Sequence, residues 1–300
     1  MAGLRVHGDH GPSAREAAMT LFSAIGAVLL MGDPTSANPE DPPVEQGAPA
    51  PAPAAQGLGT PGSDANLAQQ VANPVAELIS VPLQSNLDCC FGPADANRYT
   101  LNIQPVIPVR LNSELSLITR TILPFIAQER TVSDGRGTNG FGDITQSFFF
   151  KPQINGITIA AGPAVVWPIG NKEFGSGKWS AGPTALVVKQ TPKGTTLGML
   201  ANHLWSYAGK DDRPGVSATL LQPFLTQTFH NGMSIGANTE ASYNWKQKQW
   251  TVPIDITLGQ LIRIGRQPMQ ISMSGKYYAE RPSGGPDWGL RLTLTFLFPE

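Results

Sequence analysis

Charged residues are scarce in this chain of 300 residues: Asp, Glu, Lys and Arg make up 14% of it, where about a quarter is usual. It has no run of about 20 apolar residues, which a membrane-spanning helix would need. Only two cysteines are present, which excludes a disulfide scaffold and argues against a structural zinc site. The net charge of −1 removes the case for nucleic-acid binding.

Glycine and proline are abundant instead, with 32 and 27 residues, and together they disfavour an all-helical fold. Apolar residues are a modest 41%, and the polar residues are largely Ser, Thr, Asn and Gln. The chain is therefore low in charge without being strongly hydrophobic. This combination argues against an ordinary cytosolic enzyme.

Residues 1–37 have the pattern of a secretory signal peptide. An uncharged and mostly apolar stretch over 19–32 is too short to span a bilayer, and Thr35 and Ala37 place small residues before a cleavage site. The alternative is a buried N-terminal helix. We expect export, because the segment that follows offers nothing for such a helix to pack against.

Residues 38–72 are rich in Pro and Ala and have almost no large apolar side chains. A segment of this composition cannot bury enough apolar surface to fold, so we expect a disordered, Pro/Ala-rich linker. The folded domain is expected over residues 73–300.

From residue 78 onward the hydrophobic period is two, which is typical of β-strands. The last stretch shows this most clearly, since alternate residues point to one apolar face. That face comprises Trp288, Leu290, Leu292, Leu294, Phe296 and Phe298. The opposite face is polar or small, except for Leu297.

Division of the chain at turn signals gives twelve strands of about 10–14 residues, long enough to cross a bilayer at a tilt. They run near 78–90, 98–110, 115–127, 142–151, 156–167, 179–190, 195–207, 216–229, 233–244, 249–260, 269–280 and 287–298. Tight turns follow strands 2, 4, 6 and 8, and longer loops follow strands 1, 3, 5 and 7. Outer-membrane barrels alternate in this way, with short turns in the periplasm and longer loops outside. The alternation weakens late, with a short connection after strand 9 and a longer one over 261–268.

The predicted fold is all-β: a transmembrane, antiparallel, up-and-down β-barrel of the outer-membrane type. An even number of strands near twelve leaves no free sheet edge. All six tryptophans then fall at the external ends of their strands, where an amphipathic ring is most stable. These interface residues are Trp167, Trp179, Trp205, Trp245, Trp250 and Trp288. The alternative, a secreted β-sandwich, would bury its tryptophans in mid-strand and carry more charge on its polar face.

Seven ionic residues lie on the polar faces of the predicted strands. They are Arg120, Asp143, Lys151, Glu240, Asp255, Lys276 and Arg291. A lysine or arginine that faces lipid at mid-depth costs about 2–4 kcal/mol, so these residues are expected to face the lumen. There they either pair and fill the barrel, or line and restrict a path. The last four are expected to form a mixed-sign ladder along one wall, two acids followed by two bases.

Several segments of this chain resemble a family of bacterial outer-membrane barrels. The segments are GFGDITQSFFFKP (140–152), GSGKWSAGPTALVVKQ (175–190), ANHLWSYAG (201–209), LQPFLTQT (221–228), QWTVPIDITLGQL (249–261) and WGLRLTLTFLFPE (288–300). The family is labelled as a MetA pathway of phenol degradation, and its members are often called transporters or misnamed neuromedin U. The resemblance covers about 73–300.

The resemblance implies a bacterial outer-membrane protein that passes small solutes, with aromatic or hydrophobic ones as the candidates. The implied partners are outer-membrane lipid, the solute, and the barrel-insertion machinery, which would read the outward Phe296 and Phe298 of the last strand. The N-terminal linker would lie in the periplasm. No enzyme activity, cofactor or metal is expected.

Two other functions remain open from the sequence. A structural barrel with a closed lumen would show the same strand pattern. A membrane-embedded lipid hydrolase would need a serine beside a histidine, yet alternation puts His203 and Ser206 on opposite faces of one strand. Adjacent Cys89 and Cys90 form either a vicinal disulfide or two packed thiols.

Overall fold

A computed structural model describes residues 63–130 and 137–299. Within these residues one helix is followed by fifteen β-strands, which belong to a single sheet. The helix has eight residues, and no described helix has the length and apolar character needed to cross a membrane. The predicted signal peptide, and the expected linker up to residue 62, lie outside the described residues.

The elements follow in chain order: α1 Asp64–Val71, β1 Ile79–Phe91, β2 Ala96–Ile103, β3 Val106–Arg110, β4 Leu115–Gln128, β5 Thr138–Phe141, β6 Ile144–Pro152, β7 Thr158–Trp167, β8 Lys178–Gln190, β9 Thr195–Gly209, β10 Ser217–Thr228, β11 Met233–Thr239, β12 Ala241–Asn244, β13 Gln249–Ile264, β14 Gln267–Glu280 and β15 Trp288–Phe298.

The fifteen strands make a wall of twelve, because three strands are each interrupted once. Gln104 and Pro105 separate β2 from β3, Gly142 and Asp143 separate β5 from β6, and Glu240 alone separates β11 from β12. All neighbours are antiparallel, and β1 pairs with β15 to close the barrel. The predicted twelve-stranded, up-and-down barrel is confirmed.

The sequence predicted a longer connection over 261–268, and this prediction is wrong. Strand β13 continues to Ile264, and only Gly265 and Arg266 separate it from β14. Gly265 has φ of 62°, the left-handed conformation that a two-residue hairpin turn requires and that glycine adopts without strain. All five connections at this end of the barrel are therefore short, two to five residues: 111–114, 153–157, 191–194, 229–232 and 265–266. Because tight turns are periplasmic in outer-membrane barrels, we call this the periplasmic end and the opposite end external.

The exterior of the wall is apolar, and the lumen is only partly polar. On β13, for example, Ile254, Ile256 and Leu258 point outward and are about half exposed, whereas Asp255 points inward and is fully buried. Strands β9 and β10 have ambiguous faces in the sequence because they also carry inward apolar residues. Leu200 and Phe224 belong to a buried cluster inside the barrel.

Helix α1 overturns the expectation of disorder for the end of the 38–72 linker. The Oγ of Ser63 caps the helix by accepting a hydrogen bond from the backbone N–H of Asn66. The buried face of α1 includes Leu67 and Ala68, which pack against the inward residues Leu261 and Leu297. The helix is thus stabilised by the barrel, which composition alone does not reveal.

Candidate solute path through the lumen

The segment from Ser63 to Glu77 forms a plug, the name used below for residues 63–77, across the periplasmic end of the lumen. Asp64 pairs with Arg263 on β13, with 2.7 Å between Oδ1 and Nε. On the far side, the Nε2 of Gln69 donates to the carbonyl of Thr191 at 2.8 Å. The plug is therefore held at two well-separated points, strand β13 and the turn between β8 and β9.

Glu77 is the third and most heavily bonded attachment of the plug. Its carboxylate lies 3.0 Å from Nζ of Lys151 and 3.2 Å from Nη2 of Arg110. Ser116 Oγ donates to it at 3.0 Å, and Gln153 also hydrogen-bonds to it. Burial alone would raise the pKa of Glu77, but these hydrogen bonds outweigh it and lower the pKa to about 2. The carboxylate is therefore ionised across the physiological range.

Val75 of the plug is fully buried and lies in an apolar layer inside the lumen. The barrel residues of this layer are Val106, Ile118, Phe149, Ala160, Leu186, Val188, Leu200 and Phe224. Seven wall strands contribute to it, from β3 round to β10. In this conformation the plug and its apolar layer fill the periplasmic part of the lumen.

Two cavities lie along the lumen and share three lining residues: Gln104, Arg120 and Gln222. The inner cavity, of about 160 Å³, is bounded by the plug. The outer cavity, of about 270 Å³, extends to Glu240 and Ser242. The three shared side chains, which we call the junction, therefore lie between the two cavities. The role of Arg120 as a constriction stays a prediction.

The part of the wall that runs from β11 through β15 to β1 carries an ionic network centred on Arg291. Its guanidinium donates two hydrogen bonds to the carboxylate of Glu240, at 2.9 and 3.0 Å. Its Nε donates to Oδ1 of Asn86 at 2.7 Å, and Asp255 Oδ1 lies 3.8 Å from Nη1. The two oxygens of Asp255 are buried and accept no hydrogen bond from the described residues.

Lys276 continues this network toward β1. Its Nζ donates to Oδ1 of Asp88 at 2.9 Å, and the phenol of Tyr278 donates to the same oxygen at 2.9 Å. The predicted grouping of Glu240, Asp255, Lys276 and Arg291 on one wall is thus present. The sequence did not indicate three further members of this network: Asn86, Asp88 and Tyr278. The residues of β1 and those of β14 and β15 come together only across the seam where the barrel closes.

Two residues of the predicted ionic set lie elsewhere. Lys151 is at the periplasmic end, bound to Glu77 of the plug. Asp143 fastens the external loop over 168–177: it accepts hydrogen bonds from the backbone of Gly170 at 3.0 Å and from the backbone and hydroxyl of Ser176 at 2.6 Å. Neither residue belongs to the network around Arg291.

All six tryptophans lie at the external ends of their strands, as the topology predicted. Several make ring contacts, such as Trp167 with Trp179 at 5.2 Å between centroids. Five of the six are more than a third exposed. Their service as an anchor at the membrane surface stays a prediction.

His203 also points outward, beside Trp205, with 4.1 Å between ring centroids. Its Nδ1 lies 2.7 Å from Thr219 Oγ1, and its Nε2 lies 3.5 Å from Ser217 Oγ. Ser206 instead bonds to the backbone of Val216.

Cys89 and Cys90, at the external end of β1, are joined as a vicinal disulfide. Within the described residues, no His, Cys, Asp or Glu cluster is suited to hold a metal ion.

Residues 99–300 match the model of the family described as "Putative MetA-pathway of phenol degradation". Among solved structures, an outer membrane channel from Pseudomonas putida F1 matches 74% of this chain and 96% of its own length, with a TM-score of 0.60 and 15% identity. The β-domain of a Bordetella autotransporter matches 74% of this chain and all of its own, with a TM-score of 0.43 and 10% identity. No curated protein matches.

Proposed function

We propose that this chain, a member of the outer-membrane barrel family associated with the MetA pathway of phenol degradation, gives small solutes a path through its lumen. It is a bacterial outer-membrane protein, with a closed wall and an apolar exterior. The solutes we propose are small aromatic or otherwise hydrophobic molecules.

The observation that carries the proposal is the pair of cavities in series that end on the plug. The plug is not part of the hydrogen-bonded wall. It is attached by side chains such as Asp64 and Glu77, whose contacts can be exchanged for water. Release of the plug would open the inner cavity to the periplasm while the wall stays intact.

The proposed class of solute is supported by the lining of the outer cavity. Ile122, Leu200, Leu204 and Leu220 supply apolar surface, and Asn102, Gln104 and Asn202 supply hydrogen-bonding groups. A volume of about 270 Å³ lies just below the range of about 300–1,000 Å³ that is typical of ligand sites. It suits one small molecule with an apolar body and a polar group.

A structural barrel with a closed lumen is the second candidate, and the apolar layer around Val75 favours it. The two functions differ in flux. Purified full-length protein in liposomes should admit labelled toluene-sized and phenol-sized solutes faster than protein-free liposomes do. Gln222→Trp, which places a large ring at the junction, should slow this flux, whereas Gln247→Trp in the external turn should not.

Equal flux with and without the protein would contradict the proposed path and support the structural barrel. We propose no enzymatic role. The 3.5 Å approach of His203 to Ser217 gives lipid hydrolysis a specific test. Release of fatty acid from detergent micelles that is abolished by His203→Ala would overturn this part of the proposal.

A further inference from the structure

Arg120 holds the one basic group of the junction, and its donors are largely unused. A guanidinium has five N–H donors. Within residues 63–130 and 137–299, the only hydrogen bond from Arg120 runs from Nη2 to Oε1 of Gln104, at 2.8 Å. No described carboxylate lies within 4 Å of it. Arg120 lines both cavities, so its remaining donors face the path.

The described carboxylates of the lumen each bind, or lie beside, a cation other than Arg120. Glu240 is bound through both oxygens to Arg291, and Asp88 to Lys276 and Tyr278. Asp255 is fully buried and lies nearest to Arg291. None of them neutralises Arg120 by direct contact. A half-buried cation with no carboxylate in contact is incompletely neutralised, which makes this position receptive to an anion.

Hydrogen-bond acceptors near Arg120 are also occupied. Gln104 Oε1 accepts from Arg120, and Gln84 Oε1 accepts from both Gln104 and Asn102, at 2.9 and 3.1 Å. The amide of Gln222, across the junction, makes no side-chain hydrogen bond within the described part of the chain. The junction therefore presents spare donors and few spare acceptors.

Apolar surface adjoins these donors. Ile122 and Leu220 line the outer cavity next to Arg120 and Gln222, and Val106 lines the inner one. A ligand that satisfied the whole site would need an anionic group with two acceptor oxygens and a compact apolar body. A carboxylate matches the planar fork of a guanidinium through two parallel hydrogen bonds.

We propose that the junction is a binding site for a small aromatic or aliphatic carboxylate, held by Arg120 and Gln222 with its apolar body in the outer cavity. This inference rests on the proposed function and narrows its solute class to organic monoanions. Arg120 then acts as a selectivity residue of the path rather than as filling.

Calorimetry on the detergent-solubilised full-length protein tests the site with three ligands of one shape: benzoate, benzyl alcohol and benzylamine. Benzoate should bind at least tenfold more tightly than the other two. Arg120→Gln should remove this preference, and Gln222→Leu should lower the affinity for benzoate several-fold. Arg266→Gln, which removes the same charge from an exposed periplasmic turn, should leave the affinity for benzoate unchanged. Gel migration before and after boiling shows that each variant is folded.

Equal affinity for benzoate and benzyl alcohol, no benzoate binding, or undiminished binding by both Arg120→Gln and Gln222→Leu would overturn the proposal. Liposome flux of the same ligands separates this inference from the path itself. Flux of all three ligands at equal rates would support the path and refute the carboxylate site. Benzoate binding that depends on Arg120, with no flux of any ligand, would support the carboxylate site and refute the path.

Discussion

Lys276 donates a hydrogen bond to Asp88 at 2.9 Å, although a whole strand separates them. The register places Gly289 of β15 between the two, opposite Lys276 on one side and Asp88 on the other. A Cβ at Gly289 would run into the Asp88 carboxylate. The glycine therefore lets the lysine reach across the strand, and the pair ties β14 to β1 over the closing seam.

Gly289→Ala should lower the free energy of unfolding by about 3 kcal/mol, the usual range for a broken buried ion pair being about 3–5 kcal/mol. Gly275→Ala on the neighbouring strand is the matched control, because a Cβ there has open space. Its effect should stay within about 0.5 kcal/mol. Denaturant unfolding in detergent measures both. Equal stabilities of the two variants would contradict the role given to Gly289.

The wall of the barrel was largely predictable from the sequence. Strict alternation fixes which side chains share a face, and antiparallel neighbours then bring Asp255 opposite Lys276, as the register shows. The pairing with Asp88 was not predictable by alternation, because it depends on a glycine in the intervening strand and on closure between the first and last strands.

Arg291→Met should also destabilise the barrel, by about 3–5 kcal/mol, because it removes the cation bound to the half-buried Glu240 and nearest to the fully buried Asp255. The expectation that a wet lumen rehydrates the freed carboxylates does not fit, since the side chain of Asp255 is fully buried. Glu240→Gln in the Arg291→Met background should recover part of the loss. Denaturant unfolding of the single and double variants measures the coupling, and strictly additive losses would contradict it.

The plug and the apolar lining of the lumen were not predictable from composition. An isolated helix as short as α1 is unstable in water, so Leu67 gives a signal only once Leu261 and Leu297 are known to face inward. Leu297 was visible as the one apolar exception on a polar face. An inward leucine near a strand end is the sequence signal that could have indicated a packed plug.

Acid should release the plug only at very low pH. Because the pKa of Glu77 is lowered to about 2 from its usual 4.5, its stabilising contribution is complete above about pH 4.5 and is lost as the pH falls toward 2. Proteolysis of the plug should thus be equally slow at pH 7 and pH 5. Glu77→Gln should be cleaved several-fold faster at both. Identical cleavage rates of wild type and variant at pH 7 would show that Glu77 does not hold the plug to the barrel wall.

The last strand should guide insertion into the outer membrane. Phe296 and Phe298 point outward at the periplasmic end of β15. Phe298→Asp should reduce the amount of heat-modifiable barrel in outer-membrane fractions several-fold, whereas Glu280→Gln, also exposed but at the external end of β14, should not. An unchanged yield of folded Phe298→Asp would remove the strand end as the signal for the insertion machinery.

Single-channel recording in planar bilayers tests the central claim, that the lumen is the path and the plug closes it. The variant Asp64→Asn with Glu77→Gln removes two ionic attachments of the plug but keeps every lumen residue of the junction. The control, Glu173→Gln with Asp212→Asn, makes the same charge change in exposed external loops. We predict openings of unchanged amplitude that are several-fold more frequent in the plug variant than in wild type and control. No openings in any of the three proteins, or equal frequencies in all, would contradict the account.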